Sequence, residues 1–201
     1  EYYSVNRAIK TLNECDIVFY MIDAEDGLTD QDKKVISLAY EKGRAIIFIL
    51  NKWDLQEDDK KTRKKAEEDI RINFGHMAWA PILCISALEE KGIKPLLNTA
   101  LSLYKQLNLK IDTASLNLAL KEWISSYPPP QSKASQFKLR YCVQSSTNPV
   151  NFILFASRPD VVSESYLTYL KNKIRTDLGF DNIPIMLDLK ASRKKWEDRD
   201  S

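Results

Sequence analysis

At 201 residues, with 44% hydrophobic and 29% charged side chains, the chain carries enough apolar material for one large domain or two small ones. No apolar run approaches the ~18 residues of a membrane-spanning helix, and a formal net charge of +2 demands neither an acidic nor a basic partner. The charge is uneven: residues 1–111 hold 17 Lys+Arg against 18 Asp+Glu, residues 112–201 hold 13 against 10, so the second half permits an RNA surface. Cys15, Cys84 and Cys142 are odd in number, widely spaced and set in apolar stretches, which predicts buried, reduced thiols of a cytoplasmic protein. His76 has no cysteine or histidine near it in sequence, so no metal site is expected.

Taken in order, the apolar spacing of Val5, Ala8, Ile9 and Leu12 predicts a helix over Glu1–Glu14. Asp16–Asp23 reads as a buried strand running into the turn Ala24–Gly27, with Asp23 expected to cap that turn. Thr29 is placed to cap a helix from about Asp30 to Lys42, ended by Gly43. The run Ala45–Leu50 is uninterruptedly apolar, as a strand buried on both faces of a parallel sheet requires, and it breaks into Asn51-Lys52-Trp53-Asp54. The mixed charge run Gln56–Lys65 predicts the solvated start of a helix reaching about Phe74. A short strand, Pro81–Ile85, then ends in Ser86-Ala87-Leu88, and Gly92 precedes an amphipathic helix through Ile93, Leu96, Leu97, Ala100, Leu101 and Tyr104. Strands alternating with helices predict a parallel α/β sheet.

After Asp112 the pattern changes. A helix over Thr113–Ser126 is stopped by Pro128-Pro129-Pro130. Strands over Phe137–Gln144 and Asn151–Ala156 flank the turn Thr147-Asn148-Pro149. A helix over Ser163–Leu178 ends at Gly179, and a third strand spans Ile183–Leu189. The expected organisation is therefore a parallel-sheet domain over 1–111, a small α-β-β-α-β domain over 112–190 with one sheet face covered by helices, and a charged tail over 191–201.

The two polar corners carry the chemistry. Open α/β sheets bind ligands at the carboxyl ends of their strands, and N-K-x-D at such an end reads a guanine base. The Asp54 carboxylate can accept two parallel hydrogen bonds, from guanine N1–H and its exocyclic amino group. Adenine lacks the N1–H donor and would strand the acid, at a cost comparable to the about 1.5–3 kcal/mol of each charge-assisted bond. Asn51 is expected to tie the loop down, the Lys52 stem to cover a purine face, and the backbone N–H of Ala87, between Ser86 and Leu88, to meet the guanine carbonyl. The phosphate half of a nucleotide site is not written in these residues. The P-loop pattern G-x-x-x-x-G-K-[ST] is absent, because none of Gly27, Gly43, Gly75, Gly92 and Gly179 stand at its spacing. No D-x-x-G segment occurs either, so no catalytic residue is nominated.

Together these features resemble the Der (EngA) family of GTPases. The resemblance rests on Val18–Asp23 with Gly27 and Gln31-Asp32, on Asn51-Lys52-Trp53-Asp54 and on Ser86-Ala87. It extends through Pro128-Pro129-Pro130, Lys138–Tyr141, Asn151–Phe155, Arg158-Pro159, Glu164–Leu167 and Gly179-Phe180 with Ile183-Pro184-Ile185. It implies that residues 1–111 correspond to the latter part of the family's second G domain, a P-loop-NTPase-like fold, and that a KH-like domain follows. It further implies Asn51, Lys52 and Asp54 as the guanine-specificity loop and Ser86, Ala87 and Leu88 as a second base-contacting loop. The family's activity implies GTP/GDP and Mg²⁺, a role in assembly of the large ribosomal subunit with rRNA contacts, and partner G domains in the same polypeptide, with no membrane partner. With P-loop and switch motifs missing, this stretch is expected to bind guanine nucleotide weakly and not to hydrolyse GTP by itself. No G-x-x-G clamp of an RNA-binding KH module is present. A half G domain is also expected to expose a raw sheet edge and apolar surface. Two other readings remain: a non-enzymatic module that binds rRNA or protein, and a guanine-binding protein that never had a phosphate loop.

Overall fold

Two runs of branched and aromatic residues build the first sheet. β1 (Ile17–Asp23) pairs in parallel with β2 (Ala45–Asn51), and β2 pairs in parallel with β3 (Ile82–Cys84). The computed structural model describes residues 10–57, 59–130 and 137–192. Of the helix expected over Glu1–Glu14, residues 10–14 are helical and the rest lies outside the described residues.

β2 is the spine. Ala45 to Ile49 have no exposed surface and Leu50 is nearly as buried, and at ~1.5–3 kcal/mol per buried large apolar side chain this strand alone anchors the unit. Phe48 stacks on Phe74 with ring centroids 5.3 Å apart. α1 (Asp30–Glu41) starts in a capping box: the Thr29 hydroxyl accepts from the Asp32 N–H and the Asp32 carboxylate accepts from the Thr29 N–H. α2 (Lys60–Asn73) is capped by Asp59, which accepts from the Thr62 N–H at 2.7 Å, so the charge run is a solvated helix start. α3 (Ile93–Leu107) buries Leu96, Leu103 and Leu107, so of the expected stripe Leu96 faces the core while Leu97, Leu101 and Tyr104 are exposed, the buried face being turned toward Leu103 and Leu107. Among the described residues β1 is an outer strand of this sheet, with Phe19 44% and Met21 56% exposed. That is the raw edge and apolar surface expected above.

The chain divides into two compact units, residues 1–108 with Asp181–Pro184, and residues 109–180 with 185–201. In the second, α4 (Thr113–Ser126) precedes β4 (Leu139–Ser146) and β5 (Asn151–Ala156), which pair antiparallel; α5 (Glu164–Leu178) leads to β6 (Met186–Ala191), parallel to β5. The mixed order β4-β5-β6 gives the α-β-β-α-β pattern. The third strand starts later than the expected Ile183, because Ile183 and Ile185 are buried as an irregular segment before pairing with β5 begins. Phe152, Leu154 and Ala156 of β5 face the core together with Leu116, Leu120 and Trp123 of α4 and Tyr166, Leu170 and Ile174 of α5. Trp123 Nε1–H donates to Asp177 at 2.8 Å and the Tyr166 hydroxyl to the Tyr127 carbonyl at 2.9 Å, so neither buried polar tip is orphaned.

One side chain closes the edge of this sheet. The Asn117 amide accepts from the Cys142 N–H at 2.9 Å and donates to the Cys142 carbonyl at 2.8 Å, reproducing with a side chain the pair of bonds a neighbouring strand would make. Replacing Asn117 by Ala is expected to destabilise the protein by about 1–2 kcal/mol by unpairing both backbone groups, measured by urea unfolding; an unchanged midpoint would show that the edge needs no seal.

None of the three cysteines is in a disulfide; Cys142 is buried and Cys15 and Cys84 are half-buried, so full burial holds for one of the three. Burial pushes the Cys142 thiol up to about 12. Because that value lies above the ordinary one, the stabilisation from keeping the thiol protonated is complete below its unfolded value and is lost as pH rises toward 12. A thiol-specific chromogenic reagent near neutral pH is expected to reach Cys142 only after denaturation; rapid native labelling of Cys142 would contradict this.

Candidate guanine-recognition site

The site residues stand where β2 and β3 end. The Ile85 N–H donates to the Leu50 carbonyl at 2.9 Å and the Trp53 N–H to the Ile85 carbonyl at 3.0 Å, lacing the two strand ends together past the last ladder pair. Asn51 continues the lacing: its Oδ1 accepts from the Ala87 N–H at 3.0 Å. Through this bond Asn51 links the two loops. The donor of this bond is the same Ala87 N–H that is expected to meet a purine carbonyl.

Lys52 takes a left-handed backbone conformation, φ 60° and ψ 35°, which costs a non-glycine residue roughly 1 kcal/mol. This turns the chain sharply into a short 3₁₀ segment, Trp53–Leu55. Trp53 is buried beneath it, with the Arg63 guanidinium 5.7 Å from its ring centroid. The Lys52 ammonium pairs with the Asp23 carboxylate at 2.5 Å. The hydrogen bond from Lys52 holds the Asp23 carboxyl below its ordinary range, and the same bond raises Lys52 above its own. Asp23 also accepts from the Glu25 N–H at 3.0 Å, so it caps the turn as expected and has a second role that strand-end position alone did not reveal.

Asp54 is exposed, and no group among the described residues pairs with its carboxylate. On the other loop Ser86 is buried, its hydroxyl accepts from the Glu89 N–H at 3.1 Å, and its backbone bridges Lys91 in both directions. Ala87 and Leu88 are exposed, Leu88 by 86%. A groove of about 500 Å³ passes Trp53, Asp54, Ile85 and Ser86 and continues to Arg63 and Lys91. It joins Asp54 to Ser86, while Asn51, Lys52, Ala87 and Leu88 lie outside its lining. Gly92 closes this loop at φ +79°, and a Cβ there would stand 2.9 Å from the Cys84 carbonyl oxygen and 2.9 Å from Ile85. Trp53 and Gly92 are the two supports that the motifs did not announce; the signals were a large aromatic inside a polar tetrapeptide and a glycine directly before a helix. No group of three or more His, Cys, Asp or Glu among the described residues could hold a metal ion.

Comparison with known proteins agrees with this architecture. Residues 3–106 match the elongation factor Tu GTP binding domain, and residues 110–190 match the KH-domain-like region of EngA bacterial GTPase enzymes, C-terminal. The class is therefore a G-domain portion with a parallel sheet joined to a KH-like domain with a mixed sheet. The chain is 45% identical over 195 residues to GTPase Der of Treponema pallidum, covering 97% of this chain and 42% of that protein. It is 39% identical over 198 residues to GTPase Der of Caldanaerobacter subterraneus, covering 98% and 44%. A crystal structure of Aquifex aeolicus Era bound to GDP.AlF4- is similar at TM-score 0.42 and 17% identity, over 96% of this chain and 70% of that one. The chain belongs to the Der (EngA) family of GTPases. It spans less than half the length of the curated relatives it matches.

Proposed function

We propose that this chain supplies the guanine-reading half of a GTPase that acts in assembly of the large ribosomal subunit in the cytoplasm, with rRNA as a partner. The observation that carries the first part is the pairing of the two strand-end loops. Asn51 fixes Ala87, Trp53 fixes Ile85, and Asp54 is left exposed, its carboxylate unpaired among the described residues. A preorganised acid of this kind discriminates by what it would leave unsatisfied. Guanine presents N1–H and an amino group side by side to Asp54, whereas adenine presents neither in that geometry. Ser86, Ala87 and Leu88 form the second wall, the Ala87 N–H being shared between Asn51 Oδ1 and a base carbonyl. The Lys52 stem, half-exposed and anchored through Asp23, borders the base.

Phosphates and Mg²⁺ are held by a P-loop and switch residues of the intact GTPase, to which this sequence contributes none of the recognisable motifs. Purified 1–201 is accordingly expected to bind GDP weakly, at least about tenfold more tightly than ADP, as one unmet charge-assisted bond requires, and to leave GTP unhydrolysed. Equilibrium binding to both nucleotides and a phosphate-release assay test this. Equal affinity for GDP and ADP would remove the base-reading role; GTP turnover would show that the chemical half is present after all.

A further inference from the structure

The second unit presents an aromatic pair on the sheet face opposite its core. Along β4 and β5 the residues alternate: Cys142 pairs with Leu154 toward the interior, and Tyr141 pairs with Phe155 on the other side. Those two rings stack, centroids 4.3 Å apart and planes inclined by 15°. Tyr141 keeps 42% of its surface exposed despite the stack. A register shift between Leu139 and Tyr141 marks a bulge in β4, the kind of irregularity that re-aims side chains beside binding sites. The stacked pair opens onto a cavity of about 1000 Å³ whose lining includes Pro128, Pro129, Lys138 and Arg140. Lys190 is the register partner of Phe155 and so flanks the rings from β6. Lys138 and Lys190 are exposed and form no ion pair among the described residues. The one acid on this face of β6, Asp188, accepts a hydrogen bond from the Asn151 side chain at 2.9 Å.

We propose that the stacked pair Tyr141–Phe155, flanked by Lys138, Arg140 and Lys190, is a platform for unpaired bases of single-stranded RNA. Exposed parallel rings offer a flat face that any nucleobase can continue, and cations beside them meet the phosphates on either side of a stacked base. A duplex keeps its bases stacked internally and cannot use the rings. An extended peptide adding a strand is the weaker fit, because Asn117 already occupies the β4 edge at Cys142. The platform also answers what such a domain does without a G-x-x-G clamp: it holds RNA through the sheet. This deepens the rRNA part of the reading above and is independent of guanine recognition.

Fluorescence anisotropy of the whole chain with fluorescein-labelled oligoadenylate, over a range of salt, tests the proposal. Binding is expected to fall with salt and to be tighter than for an RNA duplex of equal length. Tyr141→Ala is expected to weaken it roughly 10-fold or more, Tyr141→Phe to retain it, and Lys138→Gln and Lys190→Gln each to lower the salt slope by about 0.7. Unchanged binding by Tyr141→Ala, with the fold verified by circular dichroism, would place RNA elsewhere and sink the platform while leaving the rRNA reading intact. Equal binding of the duplex, or capture of an extended peptide with no affinity for oligoadenylate, would sink the platform as well. No RNA binding by the wild type at any salt would sink both.

Discussion

Asp54→Asn is expected to exchange guanine preference for xanthine. The carboxylate accepts from N1–H and from the exocyclic amino group; the amide keeps one acceptor and gains a donor. Guanine then sets its amino group against the new NH₂, while xanthine, with a carbonyl at that ring position, accepts from it. Losing two charge-assisted acceptances in favour of a neutral and a repulsive contact costs guanine about 3 kcal/mol, roughly 100-fold in affinity. Asp54 is exposed and unpaired among the described residues, so the substitution is expected to leave thermal stability nearly unchanged. Competition binding with GDP and XDP reads the exchange directly. Unaltered guanine preference in the variant would remove Asp54 from the base.

Gly92→Ala is expected to damage stability and nucleotide binding together. The added methyl would stand 2.9 Å from a backbone oxygen, Cys84 O, and 2.9 Å from the Ile85 side chain, at a φ of +79°. Neither neighbour is a swinging side-chain tip, so the loop itself must move. Left-handed strain and overpacking together amount to roughly 2–4 kcal/mol. The displaced segment contains Ser86 and Ala87, so the Asn51–Ala87 bond at 3.0 Å and the Trp53–Ile85 bond at 3.0 Å loosen with it. The check is a thermal melt paired with a GDP titration. A variant that melts like wild type would show that the close approach is relieved without strain; one that melts lower but binds GDP normally would show that the second loop does not form the site.

These two positions differ in how plainly the sequence announced them. Asp54 was singled out because four residues in a row fit a recognition chemistry and because the preceding apolar run fixes where they sit, at the carboxyl end of a strand buried from Ala45 to Leu50. Gly92 was legible only as the residue before a helix. Its real duty is to let the chain pass within van der Waals range of Cys84 and Ile85, and that depends on a tertiary distance no local pattern encodes. The same division runs through the fold. Periodicity announced α1, α2 and the long helices, and Thr29 announced one cap; the caps at Asp59, Asp112 and Ser163 are equally local but were passed over. It misplaced the start of the last strand, because Ile183-Pro184-Ile185 is apolar enough to read as β while being buried as irregular chain. The Lys52–Asp23 pair and the Asn117–Cys142 seal join residues 29 and 25 positions apart, and only the parallel pairing of β1 with β2 and the packing of α4 on β4 bring them within reach. Resemblance to a family supplied what periodicity could not for the second unit, where no single residue names a chemistry.

The most direct measurement is an NMR titration of isotope-labelled 1–201 with guanosine and, separately, with adenosine, neither of which asks anything of a phosphate site. The expected result is saturable movement of the Ala87, Asn51 and Trp53 amide signals with guanosine and none of comparable size with adenosine. Equal movement with both nucleosides, or movement confined to residues away from the ends of β2 and β3, would contradict the assignment of these two loops to guanine.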